Sequence, residues 1–417
     1  MSEQATPVRR GIFYGWLVVA AAFAVTFVGF GLAYTFSAFV EPLQKDFAAS
    51  RGSVSLVFSL AGFLYFGLGS LSGPLADRWG SRSLAVIGML LTGAGLAAAS
   101  MASSLTQVYV AYGLGIGLGV GCSYVPAIGA VQRWFVRRRG FASGLAVSGI
   151  GVGTLVMPPL ASWLIAFAGW RKAYLVLGVI AVVIGVGMAL LIRNDPRDRG
   201  LAPDGDPPHI SARSVRPIDA SVREAILSHQ FVGLYIACLI CSFAVFIPFV
   251  HLVPYAVGHG IGETWAIWLL GIIGIGSTAG RFVVGGLADR LGRRVGVLAM
   301  FVGMGAALLV WAVSTAFFAL AIFALVYGVF YGGWVALLPS LVMDYFGSRN
   351  VSGIIGVLYT SVAVGTLIGP SAAGYAFDVS HSYLLPILAG VCANFVAAGI
   401  MAATSGERQS RRNPVST

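Results

Sequence analysis

Charge is what this sequence has least of. Only 10% of its 417 residues are Asp, Glu, Lys or Arg, against 58% hydrophobic, and lysine occurs just twice, at Lys45 and Lys172. An ordinary soluble globule carries charge on about a quarter of its residues. That scarcity, with a mean hydropathy of +0.88, excludes one and puts the chain in a bilayer. Acidic residues are missing from the middle of every long apolar run, which removes the carboxylate usually expected of a membrane proton relay. The four cysteines, Cys122, Cys238, Cys241 and Cys392, all fall inside apolar runs. They therefore build neither an extracellular disulfide framework nor a soluble zinc site, and Cys238 and Cys241 read as packing residues. No nucleotide-binding loop, metal-ligand cluster or nucleophile–base set is present, so the sequence predicts no enzyme, no cofactor and no ATP-driven step. The G-x-G-x-x-G inside GLGIGLGVG at 113–121 has no strand before it and reads as close helix packing.

What the chain does have is apolar sequence in lengths of about 20 residues, enough to span a ~30 Å hydrocarbon core. Twelve such segments lie near residues 13–39, 54–75, 83–101, 105–131, 141–166, 170–193, 230–256, 264–287, 295–315, 317–342, 351–377 and 383–404. In lipid each must satisfy its own backbone, so each reads as a helix. The first is too long for a signal-peptide core and lacks a small-residue cleavage pattern, and reads as a permanent helix. The net charge of +11 could suggest nucleic acid, but its placement argues for orientation. With both termini cytoplasmic, Arg9, Arg10, Arg78, Arg82, Arg133, Arg137, Arg138, Arg139, the arginines from Arg193 to Arg223, Arg290, Arg293, Arg294, Arg349, Arg408, Arg411 and Arg412 lie inside. Only Lys45, Arg51, Arg171 and Lys172 remain outside, which is the positive-inside asymmetry. The expected partner is the lipid bilayer, not nucleic acid, and no obligate protein partner is implied. A compact linker and short termini suit a bacterial inner membrane.

The chain divides once, at 194–228, where the sequence turns polar and rich in proline and charge. A six-helix bundle over 1–193, a cytoplasmic linker and a second bundle over 229–417 follow. The halves echo each other: GPLADRWGSR at 73–82 matches GGLADRLGRR at 285–294, and GVGTLVMPP at 151–159 matches AVGTLIGPS at 363–371, both at an offset of 212 residues. Such a parallel repeat predicts an all-α membrane protein of the major-facilitator fold, with its substrate site near the midplane between the halves. The G-x-L-A-D-R-x-G-R-R element resembles the loop signature of that superfamily. Gly73 and Gly285 suit close helix approach, and Asp77 and Asp289 suit bonds from arginines and backbone amides. With Arg78, Gly80, Arg290 and Gly292 they make two candidate gating loops.

FYGW at 13–16 and RWFVRRRGFASGLAVSGIGVG at 133–153 resemble the two signatures of the monocarboxylate transporter family and of its relatives, the oxalate/formate antiporters. The resemblance covers nearly the whole chain. It implies that Arg281, alone in the apolar run WAIWLLGIIGIGSTAGRFVVGGLA, is the substrate-binding arginine of the eighth helix. It also implies that Tyr34, Tyr124, Tyr331 and Tyr359 form an aromatic box around a carboxylate. The residues support the same picture: an ionisable group in hydrocarbon normally faces a partner or a cavity, and a guanidinium presents a planar fork matched to a carboxylate. Tyr109 and Tyr383, near span ends, read as interfacial.

Departures from the family narrow the expectation. The oxalate pattern has a lysine on the eleventh helix where this chain has Val362, so one arginine would leave the second charge of a dianion unpaired. Animal monocarboxylate transporters carry a lysine and an aspartate where this chain has Tyr34 and Ser277. His251, the only histidine in a membrane segment, becomes the candidate proton carrier beside a neutral packing role. The expected activity is secondary active transport of a small monocarboxylate such as lactate or pyruvate, with a proton as co-substrate. The alternatives are an organic anion exchanger of the oxalate/formate type, a neutral-solute or drug facilitator, and a transporter-like sensor.

Overall fold

Apolar length makes the helices of this chain, and glycine and proline break them at matching places in the two halves. The computed structural model describes residues 13–135, 139–205, 220–347 and 351–404, other than the side chains at 77, 78, 139, 140, 285–291, 343, 351 and 352. Its long helices are α1 (Tyr14–Phe47), α2 (Arg51–Trp79), α3 (Ser81–Ser100), α4 (Leu105–Trp134), α5 (139–168), α6 (170–189), α7 (His229–Gly258), α8 (Glu263–Leu291), α9 (Arg293–Ala312), α10 (Phe317–Phe346), α11 (Val351–Ser380) and α12 (Leu384–Ala403). Ten stretches are long and apolar enough to cross a membrane, and eleven if α2, bent by 40° near Leu68, counts as one span. The longest stretch, Phe141–Ala189, breaks at Gly169 with φ 81° and supplies both α5 and α6, which makes twelve long helices among the described residues. No strand occurs among the described residues.

The 212-residue repeat is written into the backbone as well as the sequence. Positive φ angles recur in pairs at that offset: Ala48 with Gly260, Gly80 with Gly292, and Gly169 with His381. Helix-internal prolines do the same, Pro42 with Pro254 and Pro158 with Pro370. Helix α1 breaks after Tyr34 and its counterpart α7 breaks at Phe246. Gly80 and Gly292, at φ 85° and 91°, stop α2 and α8 in a conformation that L side chains rarely adopt, so glycine is required there.

The halves meet most closely along two helix pairs, α2 with α11 and α5 with α8, with a smaller contact of α1 on α7. Both seams close backbone to backbone. A Cβ on Gly374 would come within 2.7 Å of Gly52 Cα, and one on Gly274 would meet the carbonyl of Gly151. On the side of the bundle away from residues 14 and 403, Asp378 at the end of α11 caps α2. Its carboxylate accepts from the backbone N–H of Arg51 at 3.2 Å and of Gly52 at 2.9 Å. An anion at a helix N-terminus satisfies donors that the helix itself leaves free. Between these far ends of α1, α2, α7, α8 and α11 lies a cavity of about 470 Å³ lined in part by Glu41, Arg51, His259, Glu263 and Tyr383.

Candidate substrate-binding site

Helix α8 carries Arg281 inward because it packs on α10 through glycines. A Cβ on Gly280 would strike the Val329 carbonyl, and one on Gly332 the Ser277 carbonyl, so only hydrogen fits at either place. That contact fixes Arg281 on α8 beside Tyr331 on α10, one residue from the Gly332 contact. The side chain is 3% exposed, and Nε, Nη1 and Nη2 meet no hydrogen-bond acceptor among the described residues. Such a charge is held in place at a cost of several kcal/mol unless an anion joins it, because burial strips its water.

Four tyrosines stand in electrostatic reach of that guanidinium: Tyr331, Tyr124, Tyr34 and Tyr359. They come from four helices and from both halves of the molecule. The hydroxyls of Tyr34 on α1 and Tyr331 on α10 lie 2.9 Å apart and are buried. Those of Tyr124 on α4 and Tyr359 on α11 interact with each other. The structure therefore brings the four candidate tyrosines and Arg281 together. Ser277, one turn before Arg281, is 2% exposed with its hydroxyl unpaired among the described residues.

The open space beside the box is small, about 20 Å³, which holds roughly one water. Tyr124, Tyr331 and Tyr359 line it, together with Phe30, Phe66, Phe246, Trp334 and Val362. Arg281 and Tyr34 back onto these side chains and do not border the space itself. Val362, where the oxalate pattern places a lysine, is a wall residue 1% exposed, so the cavity has an apolar surface at that point. The sequence reading missed the aromatic wall. Phe30 meets Tyr124 edge-on at 5.0 Å, Phe249 lies 4.6 Å from Tyr34 and 5.0 Å from Tyr331, and Phe66 contacts Tyr359 at 6.0 Å. In a chain with 26 phenylalanines nothing local separates a wall from core packing.

His251 stands elsewhere. It lies about one and a half turns beyond Phe246 on α7, fully buried, with Nε2 at 2.8 Å from the Pro370 carbonyl and Nδ1 at 3.0 Å from the Tyr383 hydroxyl. A carbonyl only accepts, so Nε2 carries the proton and Nδ1 accepts from Tyr383. The Tyr383 oxygen in turn accepts from Arg51 at 3.1 Å, and Tyr383 lines the far-side cavity. The structure thus joins His251 to that cavity through one hydroxyl, and not to Arg281. Tyr383 itself is 4% exposed and part of this chain of bonds, so the interfacial role read from its position near a span end is corrected. Tyr109 is half-buried and donates to the Ser53 carbonyl at 2.7 Å.

Of the two candidate gating loops, Gly80 and Gly292 are the helix-stopping glycines described above. At Gly73 a Cβ would sit 3.5 Å from Val125, an ordinary contact, so close helix approach does not demand glycine there. Gly285 and the side chains of Asp77, Arg78, Asp289 and Arg290 lie outside the described ones.

Helices in parallel repeat, with a buried arginine among tyrosines contributed by both parts of the repeat, are the architecture of a transporter. Known proteins agree. The chain matches the Major Facilitator Superfamily over residues 21–370 and again over 259–415. It is 30% identical to monocarboxylate transporter 12-B of Danio rerio over 89% of this chain and 82% of that protein. Monocarboxylate transporter 11 of Mus musculus is 30% identical over 93% and 86%, and monocarboxylate transporter 3 of Rattus norvegicus 30% over 94% and 80%. The fold resembles a bacterial homolog of the human lysosomal transporter Spinster, inward-facing and unoccupied, with a TM-score of 0.71 at 16% identity over 97% of this chain and all of that one. The chain belongs to the major facilitator superfamily and, within it, to the monocarboxylate transporter family.

Proposed function

We propose that this protein carries small monocarboxylates of the lactate or pyruvate kind by alternating access, with a proton as co-substrate. The observation that carries the reading is the buried guanidinium of Arg281, unpaired among the described residues and within electrostatic reach of four tyrosines. One planar fork takes one carboxylate, and the tyrosines add donors while their rings exclude water. The apolar Val362 in the cavity wall favours a monoanion over oxalate. The relatives named above are monocarboxylate transporters, which supports the same class of cargo.

The G-x-L-A-D-R loops after α2 and α8 are the proposed gates on the side of the termini, which the arginine distribution puts in the cytoplasm; a bacterial inner membrane suits the short linker. For the proton, His251 is the proposed carrier, since a single hydroxyl, that of Tyr383, separates it from the far-side cavity. Substrate protonated at Arg281 is the competing route. Anion exchange without a proton remains the second reading, favoured by the lack of any midspan carboxylate in the sequence.

Arg281→Ala should abolish uptake of labelled lactate and pyruvate in proteoliposomes and remove their stabilising effect on melting temperature, with the purified variant still monodisperse. Arg281→Lys should rescue poorly, because an ammonium loses the fork. Near wild-type affinity in the alanine variant would move the site away from Arg281.

A further inference from the structure

Two indoles in this chain are buried with an N–H that meets no acceptor among the described residues, Trp311 and Trp334. Their surroundings differ. Trp311 stacks on Phe323 at 5.1 Å, takes Tyr255 edge-on at 5.6 Å and does not line the central cavity. Trp334 is 2% exposed and lines that cavity with Tyr331, Val335 and Leu338 of the same helix. Buried donors without partners are rare, and an indole N–H donates and never accepts. An orphan donor at the wall of a binding cavity points to an acceptor on the ligand.

Position says which part of the ligand. Trp334 follows Tyr331 by three residues on α10, about 4.5 Å of helix rise, and their rings are 6.5 Å apart. The carboxylate belongs to Arg281 and the tyrosine hydroxyls, so the indole faces what extends from it. We propose that Trp334 is a specificity-determining residue whose N–H donates to an oxygen on the substrate's carbon chain. This rests on the monocarboxylate reading above. The site then prefers oxo- or hydroxy-substituted monocarboxylates to plain aliphatic ones of equal length, because an unsubstituted tail takes water from the N–H and gives nothing back. Phe30, Phe66, Phe246 and Val362 of the wall offer no side-chain acceptor, and the tyrosine hydroxyls that line it make no bond to the indole N–H.

The test compares butyrate, 2-oxobutyrate and 3-hydroxybutyrate as competitors of labelled uptake by the full-length protein in proteoliposomes. In the wild type at least one oxygen-bearing acid should compete with a Ki about tenfold below that of butyrate, the scale of one buried hydrogen bond. Trp334→Phe, which keeps an aromatic ring and loses the N–H, should bring that ratio close to one whatever it does to absolute rates. Trp334→His, which keeps a ring donor, should retain part of it. Equal competition by all three acids in the wild type would overturn the assignment without any variant, and so would a ratio that survives Trp334→Phe. A wild type in which none of the three competes would overturn the monocarboxylate reading and this assignment with it.

Discussion

On the proposed reading Arg281 anchors the anion and the hydroxyls around it set how tightly the anion is held. Tyr34 and Tyr331 bond to each other across the two halves, and a carboxylate entering the box competes for both. Tyr34→Phe and Tyr331→Phe should each raise KM for lactate, since a lost bond to a charged group is worth about 1.5–3 kcal/mol. That corresponds to a weakening on the order of tenfold to a hundredfold. The check is concentration-dependent uptake for each variant; unchanged KM in both would return these tyrosines to packing. Arg281 was legible in the sequence because a lone cation in hydrocarbon is costly and so conspicuous. Trp334, Phe246 and Phe249 were not, because aromatic side chains are as common in helix packing as in cavity walls and only their neighbours distinguish the two.

At the scale of elements, the glycines joining α8 to α10 set the geometry that the site chemistry uses. Gly332→Val would drive a branched side chain into the Ser277 carbonyl, and overpacking of that kind costs about 1–3 kcal/mol. The expected outcome is a lower melting temperature together with weaker substrate binding, because α8 must shift and take Arg281 with it. Wild-type affinity in a folded Gly332→Val protein would show that the helices part without disturbing the arginine. The long helices were readable from hydropathy, and the 212-residue repeat from the two repeated motifs. Helix ends were less so: α1 runs to Phe47 through Pro42, past the expected end near residue 39, because that stretch is amphipathic and its polar face lowers the local hydropathy. The α5–α6 break, by contrast, sits at Gly169 (φ 81°), inside the gap between the expected spans 141–166 and 170–193.

For the whole molecule the open question is what drives it. With His251 as carrier, His251→Gln should uncouple lactate uptake from an imposed pH gradient while exchange of labelled for unlabelled lactate continues. If the substrate brings its own proton, the variant should still accumulate lactate when the outside is acidic. A wild type that exchanges normally and ignores every pH gradient in proteoliposomes would sink both routes and favour anion exchange. Any such coupling depends on insulation. The seams between halves, Gly52 against Gly374 and Gly151 against Gly274, bring main chain onto main chain, and a gap that narrow has no room for a file of water. At these two crossings the joint between the halves is closed to anything the size of a water molecule. If the halves rock as proposed, glycine at these crossings would act as a dielectric seal, keeping any coupling gradient from leaking along the joint.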